Sequence, residues 1–130
     1  MIVDSSALIA ILRAEQSAKL CAEALEQHNV CRISAANFLE VAIVIDASGD
    51  PIASRRVDEM IRLANILIEP VTEAQARLAR EAYKDFGKGS GHPAQLNFGD
   101  CFAYALAQDK GEPLLYTGRD FTHTDIASVL

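Results

Sequence analysis

Four acidic residues stand where chemistry could be done: Asp4, Glu40, Asp100 and Asp120. Asp4 closes a short apolar start, Met1–Val3, and is followed by two serines and the run ALIAIL. Asp120 holds the same kind of position, just past the apolar Leu114–Tyr116. Asp100 opens CFAYALA, a stretch apolar or small at every position, directly after Gly99, which reads as a hinge. Glu40 interrupts an otherwise apolar helical run, AANFLEVAIVID, with Asn37 three residues earlier on the same face. Each acid has an ordinary explanation. Asp4 can cap a helix, Asp100 can complement a helix dipole, and Glu40 can sit on a wet face or pair with an arginine. An ionised carboxylate set among apolar neighbours is costly unless compensated, and four together need a shared cation. Oxygen donors without Cys or His favour Mg²⁺ or Mn²⁺ over zinc. Such an ion can activate water and stabilise an in-line displacement at phosphorus.

The surrounding elements must bring these acids together. Met1–Val3 reads as a buried strand, and Asp4 or Ser5 caps a helix over 6–13. A helix over 15–28 follows, with Ala18, Cys21, Ala22 and Leu25 inward, and then a strand over 30–33. Ser34 caps the helix that carries Glu40. Pro51 opens a surface helix over 52–64, and 65–70 holds a third strand. Thr72 caps a helix over 73–86. Its Arg77, Arg80 and Lys84 could face RNA, or could simply pair with Glu73 and Glu81. GKGSGHP (87–93) is a loop without the order of a phosphate-binding P-loop, and its His92 could touch substrate or could simply cap or pack at the start of the next helix. That helix lies within 96–107. Leu114–Tyr116 is a fourth strand, and Asp125–Ala127 a short edge strand. Strands alternating with helices predict an α/β fold: a mainly parallel four- to five-stranded sheet flanked by helices. Right-handed crossovers can then deliver all four acids to one sheet edge.

Composition narrows the classes. The 130 residues suit one domain, 1–130, with a real core. Half the residues are hydrophobic, so the chain is not disordered. No apolar run spans a bilayer and the N-terminus lacks a basic leader, so no membrane is expected and the protein reads as cytoplasmic. Cys21, Cys31 and Cys101 read as reduced core residues, and no Cys or His pair has zinc spacing. A net charge of −6 argues against a general nucleic-acid coat protein but not against a nuclease, whose site acids would carry part of it.

Four blocks, MIVDSSALIAIL, SAANFLEVAIV, GHPAQLNFGDCFAYALA and PLLYTGRDFTHTDI, together resemble the PIN-domain ribonucleases, specifically the VapC toxins of bacterial type II toxin–antitoxin systems. The resemblance runs from Met1 to Asp125. It implies a PIN fold and an endoribonuclease dependent on Mg²⁺ or Mn²⁺. Asp4 and Asp100 would be metal ligands, Glu40 a ligand or the group that orients water, and Asp120 the fourth acid. Asn97 and Ser6 would hydrogen-bond to the ligands. The resemblance also implies a homodimer, an RNA substrate and a VapB-type antitoxin. One departure stands out: family members often place an acid one or two residues after the threonine of the last block, where this chain has Gly118 and Arg119. Asp120 then takes that role or a looser one. A metal-dependent DNA nuclease or phosphatase using the same acids stays open, as does a non-catalytic domain that keeps the fold.

Overall fold

The computed structural model describes all residues, Met1–Leu130. The elements run β1 (Ile2–Val3), α1 (Ser5–Leu12), α2 (Ala18–Gln27), β2 (Cys31–Ser34), α3 (Ala35–Asp46), α4 (Pro51–Leu63), β3 (Ile66–Glu69), α5 (Glu73–Phe86), α6 (Phe98–Lys110) and β4 (Leu114–Leu115). The strands form one four-stranded sheet in the order β3-β2-β1-β4. Every pairing is parallel. The sheet is therefore of the predicted kind.

The period-two alternation of strands divides the core between the two faces. Met1, Val3 and Leu115 join residues of α1 to α4 on one side. Ile2 and Leu114 join α5, α6 and Phe121 on the other. Cys21, Cys31 and Cys101 are buried free thiols within these layers. No helix is long and apolar enough to cross a membrane.

Three expectations need correction. The segment expected as an edge strand at Asp125–Ala127 forms no strand; an isolated parallel bridge joins Leu114 to Ser128, one residue later. Thr124 contributes to this: its amide and hydroxyl both donate to Phe121 O, at 3.0 and 2.7 Å, so the chain is still turning at 121–124 and meets Leu114 only at 127–129. Second, α2 begins at Ala18 rather than Glu15. Ala14 adopts φ 51°, and this left-handed residue closes α1 and uses 13–17 as a turn. Third, the apolar run of α3 is only partly core. Val41 and Ile45 face the core, whereas Leu39 and Ile43 are more than half exposed.

Two features place the site. All four strands point the same way, so the chain leaves β1, β2 and β4 at one edge of the sheet. α3 follows β2 directly, which leaves its first turns at that edge. α6 returns toward the start of β4 and so runs against the strands, with its N-terminus at the same edge.

Candidate active site

Asp4 is the N-cap of α1. Its Oδ2 accepts from the Ser6 amide at 3.0 Å and the Ser6 hydroxyl at 2.5 Å. The same hydroxyl oxygen accepts from the Thr117 amide at 3.1 Å. Ser6 thus ties the end of β1 to the segment after β4. Asp4 is 2% exposed, and its Oδ1 is buried with no hydrogen-bond partner. Burial is the main reason that its pKa rises from 3.8 to about 6; the Ser6 hydrogen bonds pull it down and the Glu40 charge pushes it up.

Asp100 is the third residue of α6 and completes a capping box with Asn97. The Asn97 amide donates to Asp100 Oδ2 at 3.0 Å, and the Asp100 amide donates to Asn97 Oδ1 at 2.9 Å. Burial again dominates its titration and lifts its pKa to about 7. The Asn97 amide opposes that rise, while the charges of Asp4 and Asp120 and a hydrogen bond shared with Asp120 add to it. Asp120 itself is exposed, in the turn that follows β4. The ordinary capping role is therefore real for both Asp4 and Asp100, but it uses one carboxylate oxygen of each and leaves them beside further acids.

Glu40 is half-buried and makes no ion pair. Its Oε1 receives only a long hydrogen bond, 3.5 Å, from Asn37 Nδ2. Its carboxylate lies against Gly99, at the positive end of α6. Gly99 is not a hinge: it is the second residue of α6 and lies outside the left-handed region.

These four acids line one open cavity of about 310 Å³, together with Ser5, Ser6, Asn97, Thr117 and Glu15. The sequence pattern does not single out Glu15, because it extends the second helix back to this residue, which instead lies in the turn that aims it here. Nor does it single out Thr117, whose part depends on a backbone amide that no side-chain pattern advertises. Other candidates lie elsewhere. His92 Nδ1 accepts from the Ala94 amide at 3.1 Å and its ring packs edge-on against Phe86. Arg77 pairs with Glu73 at 3.3 Å, as an ordinary surface pair.

The acids do not form a closed cage of three ligands around one point. The donor chemistry nonetheless fits a hard divalent cation. Every donor is oxygen, Asp4 Oδ1 is buried with nothing to accept from, and two carboxyls resist ionisation, chiefly through burial and further through neighbouring negative charge.

The PIN domain pattern matches residues 1–127. Ribonuclease VapC28 of Mycobacterium tuberculosis is 59% identical over 130 residues, spanning 100% of this chain and 98% of that protein. Among solved structures, M. tuberculosis VapC20, described as a sarcin-ricin loop cleaving toxin, superposes with a TM-score of 0.76 at 20% identity, over 98% of this chain and 97% of that one. VapBC2 of Rickettsia felis, bound to a DNA fragment from its promoter, gives 0.72 at 15% identity, over 98% and 94%. The parallel sheet, the acids gathered at its carboxyl edge and the full-length match lead to one assignment: the chain belongs to the PIN-domain family, among the VapC ribonucleases.

Proposed function

We propose that this chain, as a single PIN domain over residues 1–130, is a cytoplasmic endoribonuclease that requires Mg²⁺ or Mn²⁺ and serves as the toxin of a type II toxin–antitoxin pair. The ribonuclease assignment follows from the likeness to VapC28 along the whole chain. The observation that carries the chemistry is the buried, unpartnered Asp4 Oδ1 in a cavity shared with Glu40, Asp100 and Asp120. In this reading Asp4, Asp100 and Glu40 hold the metal. When bound, the metal supplies positive charge to the scissile phosphate and makes water a better nucleophile at neutral pH. Ser6 fixes the Asp4 carboxylate through Oδ2 and so leaves Oδ1 free for a ligand. Asn97 does the same for Asp100. Glu40, anchored weakly and facing the cavity, is placed to orient the attacking water and take its proton. Asp120, at the solvent side, completes the charge needed beside Asp100. The cavity is open, which suits a long strand over a small phosphoester.

The partner in this reading is a VapB-type antitoxin, and the active form is a homodimer. Beside the acids lies an apolar groove of about 300 Å³, lined by Leu39, Ile43, Phe98 and Phe102 and ending at Glu40 and Gly99. A tail that lays apolar side chains in this groove could present an arginine to the acids, as its bidentate fork suits carboxylates. The test is cleavage of single-stranded RNA in EDTA and after addition of Mg²⁺ or Mn²⁺, with single-stranded DNA and a phosphate monoester in parallel. Metal-restored cleavage of RNA alone is expected. Undiminished cleavage in excess EDTA refutes the metal assignment, and preference for DNA or the monoester refutes the substrate assignment.

A further inference from the structure

We propose that Gly99 is a positioning residue for Glu40, acting with Asn37 as a gauge between α3 and α6. This rests on the reading of Glu40 as part of the catalytic machinery. Gly99 stands second in α6, outside the left-handed region, so its backbone does not call for glycine. Alanine is intrinsically preferred there. The reason for glycine is space. A Cβ on Gly99 would overlap Glu40 Oε2 and lie 3.0 Å from both Cδ and Oε1. The Glu40 carboxylate therefore occupies the volume that any other side chain would fill. Asn37 holds the arrangement. It is fully buried, and its Nδ2 donates to Gly99 O at 2.9 Å while reaching Glu40 Oε1 at 3.5 Å. Both neighbours are acceptors, which fixes the orientation of the amide. One side chain thus sets the approach of α6 to α3 and steadies the carboxylate caught between them. Phe98 and Phe102 line the outer flank, in the apolar groove that Glu40 shares. A methyl on Gly99 meets the far end of a flexible side chain, so the acid is displaced while the helices stay.

The experiment is a cycle of Gly99→Ala, Glu40→Asp and the double variant, with Glu40→Gln as control. Readouts are kcat and KM on a single-stranded RNA, Mn²⁺ affinity by calorimetry, and melting temperature in EDTA. Gly99→Ala should melt at or above the wild-type temperature, since a glycine is replaced at a helical position. Its kcat should fall about tenfold or more while KM for RNA changes by less than about threefold, the pattern of a contact made in the transition state rather than in binding. Because both single changes act through the same carboxylate, the losses in kcat and in Mn²⁺ affinity should not multiply in the double variant. Wild-type kcat in Gly99→Ala, multiplicative losses in the cycle, or a melting temperature lowered by several degrees would each overturn the proposal. The control separates the two layers. If Glu40→Gln cuts normally, the assignment of Glu40 to the machinery falls and the proposal with it. If Glu40→Gln is inactive and Gly99→Ala is normal, only the role of Gly99 falls.

Discussion

Replacing Asp100 by asparagine separates charge from shape. Without metal, the Asp100 carboxyl is lifted from 3.8 to about 7 by burial, aided by the charges of Asp4 and Asp120. Fully realised, that displacement would be roughly 4 kcal/mol of destabilisation once the group is forced to ionise. The cavity is open and Asp120 is solvated, so screening reduces it, and about 2 kcal/mol is a fair expectation. Asparagine keeps an oxygen to accept from the Asn97 amide, and its amino group can donate to Asp120 where a like charge stood. Both Asp4 and Asp100 have raised folded-state pKa values, so their ionisation costs stability. The cost is absent below about pH 4, grows as the unfolded carboxyls ionise, and is complete above about pH 7. In EDTA at pH 8, Asp100→Asn should therefore melt higher than wild type by about 5–8 °C, taking the usual unfolding entropy for a chain of 130 residues. At pH 4 the two should coincide. Saturating Mn²⁺ should close or reverse the gap, because binding stabilises the intact site by RT ln(1 + [L]/Kd). RNA cleavage should be lost throughout. Thermal melts of both proteins at two pH values, with and without Mn²⁺, decide the matter. If Asp100→Asn melts lower than wild type in EDTA at pH 8, the capping role outweighs the charge and the electrostatic argument is wrong. If it remains active, Asp100 is not in the metal site.

Ser6→Ala removes the hydroxyl between Asp4 and Thr117; it should cost about 1–3 kcal/mol in urea unfolding and raise the Asp4 pKa further, moving the acid limb of the cleavage profile to higher pH. Tyr104→Phe frees Asp125, which the phenol holds at 2.6 Å; the expected loss is about 1 kcal/mol, with faster amide exchange confined to the segment after β4. His92→Ala should leave kcat and KM unchanged, since His92 is engaged with Ala94 and Phe86 rather than with the acids. An antitoxin that binds Asp4→Asn/Asp100→Asn as tightly as wild type would show that no arginine of its tail depends on this pocket.

The amino-acid sequence by itself determined the features that depend on near neighbours in the chain. Asp4 before two serines is a cap at a strand end, Thr72 starts α5, and the apolar run after Asp100 is a buried helix; all three stand in the structure as expected. Alternating strands and helices were enough to require a parallel sheet, because short connections and handedness leave few alternatives. The identity of the donors was also legible, since the four carboxylates expected do line the cavity, with no Cys or His among its residues. What the tertiary structure decided were relations between elements. Only the docking of α3 on α6 shows that Gly99 makes room for Glu40 instead of acting as a hinge. Only the left-handed Ala14 turns Glu15 toward the cavity. Only the closeness of Asp120 to Asp100 gives Asp120 a place among the acids, one or two positions beyond where the family pattern would put it. Local sequence sets which face a residue takes on its own helix. Where that face points is set by packing between residues dozens of positions apart, and a single chain read in order carries no direct record of it.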